Sequence, residues 1–380
     1  MMSLIYLDHH STTPVDPRVV DAMAPYWTLI PGNPASTSHR AGEAARKAIA
    51  EAREQIAACL MCHPEEIYFT SGATESNNLA IKGVMAGRPG GHQIVNAGEH
   101  RSVLDPARRL RGSGPVTVLP IDSAGRVEPV RVRDAITAET ELVSVMWANN
   151  EVGSLNDIQA IGSLCREHYV RLHVDAAQAL GKVPIDLSRD PVDLMSGTAH
   201  KLYGPKGIGL LFVRKSSTQR PLVPLIDGGG HERGLRSGTL PVPLIVGFAK
   251  ALEVSMANRE EEWTRLHNLR ESLWHQIQQR IPVATRNTPV DNCLPGNLNV
   301  QFGQIDGELL LARLRQTELC VSSGSACTSA NPEPSHVLRA MGLSDQAARA
   351  SLRFGLGRFT TVEEIARAAE IVAICYSSSP

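Results

Sequence analysis

The sequence feature that most constrains the fold is an alternation of short apolar runs and helical patterns between residues 66 and 245. The apolar runs have the length of strands, and helical patterns follow several of them, as over 75–86, 101–111 and 155–168. Strands that alternate with helices build βαβ units, in which helices cover both faces of a mostly parallel sheet. Because ligands bind at the carboxyl ends of the strands in such sheets, the residues just after each strand are the candidates for function.

The pattern changes after residue 240. A long helical stretch over 241–281 is followed by shorter strand and helix patterns and by a last helix over 361–375. A chain of 380 residues has room for two domains. We therefore predict a large α/β domain over 14–255 and a smaller α+β domain formed by 1–13 and 256–380.

Charge and cysteine usage narrow the class of protein. The formal net charge is −1, so no excess of positive charge indicates direct binding of nucleic acid or of an anionic membrane. The first ten residues lack a basic segment and a signal-peptide pattern, and no apolar run has membrane-spanning length. The seven cysteines are expected to be reduced thiols in a cytoplasmic protein.

Two of the segments that follow predicted strands contain residues that suit a phosphate or a ring nitrogen. In "TSGATESNN" a strand ends at Thr70 and a helix begins near Thr74, so its backbone N–H groups suit a phosphate, although a simple helix cap explains the same residues. In "HVDAAQALG" Asp175 follows a strand and Gln178 comes one turn later. Asp175 is interpreted either as a cap or as the partner of a protonated ring nitrogen.

Three further strand ends bring polar side chains. "SGTAHKLYGPKGIG" contains Thr198, His200 and Lys201, and a lysine at such a place is either a surface residue or, when desolvated, a Schiff-base amine. "EHRSVLD" supplies His100, and "MWANNEVG" supplies Asn150. The glycines of "GPKGIG" precede a strand, which excludes a dinucleotide-binding loop.

These groups together fit pyridoxal 5′-phosphate, an aldehyde cofactor that a lysine holds as a Schiff base. They comprise a phosphate-binding turn, an acid for the ring nitrogen, amides for the ring oxygen, a histidine that stacks on the ring, and a lysine. A metal is not predicted. The "CLMCH" stretch at 59–63 has the spacing of a haem attachment site, but it ends an amphipathic helix, and no second ligand pair with zinc spacing follows.

Motifs along nearly the whole chain resemble one family. They include "YLDHHSTTPVDPRV", "GNPASTSHR", "TSGATESNNLAIKG", "HVDAAQALGKVPIDL", "HKLYGPKGIG", "GGGHERGLRSGTLPV", "SSGSACTS" and "LRFGLGRFTT". In order and number they are similar to those of cysteine desulfurases of the NifS/IscS-like branch, in the class V aminotransferase family of fold-type I pyridoxal phosphate enzymes. The resemblance implies a large domain with a mostly parallel mixed sheet, a smaller α+β domain and a homodimer.

The resemblance also implies a role for each candidate residue. Lys201 would carry the Schiff base and move the α-proton, and His100 would stack on the ring. Asp175 would pair with the pyridine nitrogen, Gln178 and Asn150 would contact the ring oxygen or the substrate, and Arg353 would bind the substrate carboxylate as a bidentate fork. The phosphate ligands would be Ala73, Thr74, Thr198, His200 and, from the partner subunit, Thr239.

Cys327 lies in "VSSGSACTSANPEP", residues 321–334, among small residues that cannot form a core. By resemblance it is the thiolate that takes sulfur from L-cysteine as a persulfide, leaves L-alanine, and passes the sulfur to an acceptor protein. The arginine-rich chain, short after its last helix, also resembles the desulfurases of DNA-phosphorothioation systems. Iron–sulfur clusters, tRNA thiolation and DNA phosphorothioation are therefore the candidate destinations of the sulfur.

Other functions remain open on the same residues. A selenocysteine lyase or another pyridoxal phosphate β-lyase would not need Cys327. A sulfur carrier without catalysis would not need Lys201, Asp175 and His100 together, and an aminotransferase gives no role to the Cys327 segment. Ala199 and Thr198 stand where relatives often have Gly and Ser, and Trp147 is expected to reshape the wall of the pocket.

Overall fold

The computed structural model describes residues 4–215, 221–303, 305, 307–323 and 333–377. Its strands are β1 Ile5–Tyr6, β2 Ile67–Thr70, β3 His92–Asn96, β4 Val116–Leu119, β5 Thr140–Met146, β6 Arg171–Asp175, β7 Leu194–Thr198, β8 Gly209–Val213, β9 Ala284–Arg286, β10 Asn297–Phe302, β11 Leu319–Cys320 and β12 Ser351–Gly355.

The helices cover the remaining regular parts of the described chain. They are α1 Pro17–Met23, α2 Pro25–Thr28, α3 Arg40–Leu60, α4 Ala73–Ala86, α5 Arg101–Arg109, α6 Pro129–Ala135, α7 Ile158–Glu167, α8 Val242–Ala257, α9 Arg259–Arg280, α10 Gly307–Leu314, α11 His336–Ala340, α12 Asp345–Arg349 and α13 Val362–Ser377. The predicted helix over 241–281 is two helices, because the backbone leaves the helical conformation at Asn258.

The main sheet has the strand order β2-β8-β7-β6-β5-β3-β4. Strand β8 is antiparallel to both of its neighbours, and the other pairs in this sheet are parallel. Strands β2, β3, β5, β6 and β7 therefore all end at the same edge of the sheet. This arrangement confirms the predicted fold class and gathers the residues that follow those strands.

Helices pack on both faces of this sheet, as the alternation of strands and helices predicted. Along β8, Leu210 and Phe212 join the core that includes α3 and α8, whereas Leu211 joins the core on the other face, beneath α4 and α5. Successive side chains of a strand point to opposite faces, so a strand covered on both sides must be apolar throughout. Each of these side chains is fully buried.

A separate apolar core joins the ends of the chain. Strands β9, β10 and β12 form an antiparallel sheet on which α9 and α13 pack, and Ile5 and Leu7 from the start of the chain belong to the same core. Strand β1 pairs in parallel with β11. The division into domains at residues 13 and 255 stays a prediction. In the part of the chain described, no helix combines the length and the apolar character needed to cross a membrane.

Candidate active site

A cavity of about 600 Å³ opens at the edge of the main sheet where the parallel strands end. The parallel sheet explains its composition, since each strand delivers the residues that follow it to this edge. The predicted residues that line the cavity are Ala73, Thr74, His100, Asn150, Asp175, Gln178, Thr198, His200, Lys201 and Arg353. Thr239 is exposed and is not among the lining residues, and Cys327 lies outside the described residues.

Lys201 sits in a short 3₁₀ turn, Ala199–Lys201, that directly follows β7. Its Nζ donates hydrogen bonds to the backbone carbonyls of His10 and of Ser11, the latter at 2.7 Å. The start of the chain therefore forms one wall of the cavity, beside the predicted Schiff-base amine. These two carbonyls fix the direction of a flexible side chain.

Asp175 ends β6 and is 5% exposed. One carboxylate oxygen accepts the backbone N–H of Ala177 at 2.9 Å, and the other accepts Asn77 Nδ2 at 2.8 Å. The residue thus caps the following turn and also lines the cavity, so the two interpretations of Asp175 are compatible. Hydrogen bonds to both oxygens hold the carboxylate in one orientation.

Asn77 connects Asp175 to His100. Its Nδ2 also donates to Ser102 Oγ at 2.8 Å, and that hydroxyl lies 2.7 Å from His100 Nδ1. The backbone N–H of Ser102 donates to the same Nδ1 at 3.1 Å, so Nδ1 is an acceptor, and a neutral ring carries its proton on Nε2. Burial lowers the pKa of His100, and the positive charge of Lys201 acts in the same direction, against Asp175.

The first turn of α4 offers backbone N–H groups to the cavity. Gly72 precedes the helix and supplies no side-chain cap, so these donors are not used by a capping group. His200 lines the same cavity, and burial and the charge of Lys201 lower the pKa of His200 to about 4. Thr198 Oγ1 donates to the carbonyl of Ile208 at 3.2 Å. An anion is favoured at such a helix terminus.

Arg353 is 2% exposed and is held by several oxygens. Its Nη2 lies 2.9 Å from Asp8 Oδ1, 2.6 Å from Ser11 Oγ and 2.8 Å from Ser322 Oγ. Its Nη1 donates to the carbonyl of Asn150 at 2.9 Å. Its Nε is buried and has no hydrogen-bond partner among the described residues. The guanidinium is thus fixed by an internal carboxylate and retains a donor for another acceptor.

The two asparagines and the acid of "NNE" have different surroundings. Asn149 is fully buried and caps the turn by accepting the backbone N–H groups of Glu151 and Val152. Asn150 and Glu151 line the cavity. Glu151 accepts a hydrogen bond from Ser335, and burial raises the pKa of Glu151 to about 7. Trp147 packs against the core that includes α3 and α8 and is not among the residues that line the cavity.

Comparison with known proteins decides the family. The family model described as Aminotransferase class-V matches residues 5–368. Cysteine desulfurase IscS of Shewanella loihica is 50% identical over 97% of this chain and 91% of its own length. A solved structure of a NifS-like protein is 35% identical, with a TM-score of 0.91 and 98% of each chain covered. The structure of SspA in complex with cysteine is 38% identical, with a TM-score of 0.82, and covers 94% of this chain and 99% of its own.

The chain belongs to the cysteine desulfurases of the class-V aminotransferase family. The resemblance read from the sequence motifs is therefore confirmed. Enzymes of this family depend on pyridoxal phosphate. When bound, this cofactor supplies an electron-accepting ring and an aldehyde that an amine can hold.

The cavity of this desulfurase fits that cofactor by its own donors and acceptors. The uncapped N-terminus of α4 suits a phosphate, the doubly hydrogen-bonded Asp175 suits a protonated ring nitrogen, and Lys201 lines the same cavity. Among the described residues, no group of His, Cys, Asp and Glu side chains is arranged to hold a metal ion.

Sequence reasoning missed several residues of this site. Asn77 follows Ala73 by one helical turn, and this spacing places both residues on the same face of α4. The sequence could therefore have indicated that Asn77 lies near the site. Asp8 and Ser11 lie in the family motif "YLDHHSTTPVDPRV", but the resemblance implied no role for either residue. The contact of Asp8 with Arg353 joins residues 345 positions apart, and no local pattern reveals it.

Proposed function

We propose that this protein converts L-cysteine to L-alanine and takes the released sulfur onto Cys327 as a persulfide. In the transfer, the Cys327 thiolate attacks the sulfur of the substrate, and the carbon–sulfur bond breaks with its electron pair left on the carbon. Protonation of that carbon gives L-alanine. The observation that carries the proposal is that Lys201, Asp175, His100 and Arg353 all line one cavity.

Lys201 is proposed to hold the cofactor and to move the α-proton of the substrate. Its amine suits this work because the carbonyls of His10 and Ser11 aim it within the cavity. His100 is proposed to stack on the ring and to assist proton transfer. The lowered pKa of His100 keeps the imidazole neutral near pH 7, with Nδ1 taken by Ser102 and a proton on Nε2 that the ring can donate.

Residues at the ends of different strands are proposed to bind different parts of the cofactor. Asp175 would bind the ring nitrogen, and Gln178 and Asn150 the ring oxygen or the substrate. The phosphate would be bound by Ala73, Thr74, Thr198 and His200. These residues all line the cavity, and the backbone donors of α4 supply the positive end of the helix dipole.

Arg353 is proposed to bind the carboxylate of L-cysteine. The side chain is buried, so water screens its charge little, and Asp8 at 2.9 Å offsets part of that charge. Its contacts with Asp8 and Ser11 prevent the guanidinium from rotating, and its Nε points to no protein acceptor among the described residues. A fixed guanidinium favours a carboxylate over a neutral group of the same size.

The assignment of Cys327 rests on the family motif, with support from the described residues beside it. Ser322 hydrogen-bonds Arg353, and Pro334 and His336 line the cavity. Cys327 lies between Ser322 and Pro334 in the sequence. The cysteines among the described residues are poorer candidates. Burial raises the thiol pKa of Cys59, Cys62, Cys165, Cys320 and Cys375, and Cys293 is buried with its thiol donating to the carbonyl of Pro289.

The active form is proposed to be a homodimer in the cytoplasm. Thr239 is exposed and does not line the cavity of its own subunit, which is what a residue that completes the partner's phosphate site requires. The persulfide is proposed to pass to an acceptor protein for iron–sulfur clusters, tRNA thiolation or DNA phosphorothioation. Incubation of the persulfide enzyme with acceptors of each class, followed by the transfer of labelled sulfur, distinguishes these destinations.

The activity is tested by measuring alanine and sulfide released from L-cysteine in the presence of a reductant. Wild type is compared with Cys327→Ala and with Cys320→Ala, a matched control whose thiol lies in β11. We expect equal amounts of both products from wild type and from the control, and neither from Cys327→Ala. Activity that survives Cys327→Ala would favour a direct β-lyase or a selenocysteine lyase.

A further inference from the structure

Gln178 is held by two contacts of opposite chemical type. Lys182 Nζ donates to Gln178 Oε1 at 3.1 Å, and Gln178 Nε2 donates to the backbone carbonyl of His10 at 2.8 Å. An ammonium group can only donate and a carbonyl can only accept. Both contacts therefore select the same one of the two orientations that a carboxamide can adopt.

Lys182 reaches Gln178 from outside the large cavity. It follows Gln178 by four residues in the turn after β6, where Gly181 has a left-handed backbone with φ of +74°. Lys182 lines a small second cavity of about 40 Å³, together with Lys201, His10 and Tyr203, and it is not among the residues that line the large cavity. Its amine therefore does not line the space where the cofactor is proposed to bind, and its hydrogen bond reaches that space through Gln178.

We propose that Lys182 is a positioning residue for the cofactor, because it holds Gln178 with Oε1 toward the lysine and leaves an Nε2 donor for the cavity. The inference rests on the proposed function, in which Gln178 contacts the ring oxygen of pyridoxal phosphate. Nε2 carries two N–H bonds, and the carbonyl of His10 takes one. The reversed carboxamide would present its own oxygen to an anionic oxygen, which is repulsive.

The same lysine also lies close to Lys201 in the small cavity. Burial and the positive charge of Lys201 together lower the pKa of Lys182 to about 7, against the carboxylate of Glu262. Whether charged or neutral, the amine retains N–H donors for Gln178 Oε1. The hydrogen bond that orients the carboxamide therefore persists on both sides of neutral pH.

The test is a double-mutant cycle read by cofactor binding rather than by turnover. Pyridoxal phosphate is titrated into the apo forms of wild type, Lys182→Met, Gln178→Met and the double variant, and the visible absorption band is recorded against pH. Each single variant should raise the dissociation constant about tenfold and shift the pH midpoint of the band. The double variant should match the weaker-binding single variant, because the proposed effect of Lys182 on the cofactor passes through Gln178.

Two controls keep the cycle interpretable. Lys250→Met removes a partly exposed lysine that pairs with Glu253 on α8, and it should leave the titration unchanged. Gln178→Glu strengthens the contact with Lys182 but removes the donor toward the cavity, so it should weaken cofactor binding at least as much as Gln178→Met. This variant tests the donor even when Lys182→Met fails to fold.

The outcomes separate the inference from the proposed function. A Lys182→Met protein that binds and absorbs like wild type, a double variant weaker by the product of both effects, or a Gln178→Glu protein that binds as tightly as wild type would overturn the positioning role. A wild-type protein that binds no pyridoxal phosphate would instead overturn the proposed function itself.

Discussion

Replacement of Asn77 should weaken cofactor binding while it changes the unfolding free energy of the protein only slightly. Asn77 is fully buried, and its Nδ2 donates to Asp175 and to Ser102. Asn77→Leu keeps the volume of the side chain and removes both hydrogen bonds. The neighbouring Asn78→Leu is the matched control, because among the described residues the Asn78 side chain hydrogen-bonds only the carbonyl of Thr74 in its own helix.

The expected magnitude follows from three contributions. Loss of the hydrogen bond to the carboxylate costs about 1.5 to 3 kcal/mol, and loss of the bond to the hydroxyl costs about 0.5 to 1.5 kcal/mol. Against this, Asn77 Oδ1 is buried without a partner among the described residues, and its removal relieves about 1 to 3 kcal/mol. The unfolding free energy of the apo form should therefore fall by only about 1 to 2 kcal/mol.

Cofactor binding should respond more clearly. Without Asn77, one oxygen of Asp175 has lost the donor that orients it toward the proposed ring nitrogen. We expect the dissociation constant of pyridoxal phosphate to rise about tenfold, measured by absorbance titration, while urea unfolding of the apo form reports stability. A fall in unfolding free energy of more than about 4 kcal/mol, or unchanged cofactor binding, would refute this reasoning.

Three further predictions concern other parts of the molecule. Burial raises the pKa of Glu151 from 4.5 to about 7, so between these pH values the native state holds a proton that the unfolded state has released. The unfolding free energy should therefore fall as the pH rises through this window, by at most about 3 kcal/mol. Urea titrations at several pH values should show this fall in wild type and not in Glu151→Gln. Glu232 pairs with Arg53 at 2.6 Å, and 2% of the Glu232 side chain is exposed, so Glu232→Gln should lower the unfolding free energy by about 3 to 5 kcal/mol. The same substitution should cost clearly less in an Arg53→Met background, and equal costs in both backgrounds would contradict the pairing. Arg353→Lys loses the planar fork and should raise the KM for L-cysteine about tenfold or more, and an unchanged KM would remove Arg353 from the substrate site.

The sequence predicted which residues meet in the cavity because a parallel sheet brings strand ends together. Asp175 ends a strand, and Lys201 and His100 follow strands, so their meeting needed only the correct strands and the parallel topology. The confirmed family resemblance added residues outside the main sheet, such as Arg353. This residue lies inside β12 of the three-stranded sheet, and the structure also brings it to the cavity.

The residues that support the site were not predictable in this way. Asp8 reaches Arg353, and His10 reaches both Gln178 and Lys201, through contacts between distant parts of the chain. Such pairs depend on side-chain packing, which leaves no periodic trace in the sequence. The break at Asn258 was missed for a related reason, because neither Gly nor Pro marks it.

The central claim is that Cys327 accepts the sulfur of L-cysteine while Lys201 acts on the substrate. It is tested most directly by mixing the cofactor-loaded enzyme with one equivalent of L-cysteine without a reductant and by mass spectrometry of the peptide that contains Cys327. We predict that this peptide gains one sulfur atom as one L-alanine forms, and that Lys201→Ala yields neither product. Alanine formation with an unmodified Cys327 peptide would contradict the account.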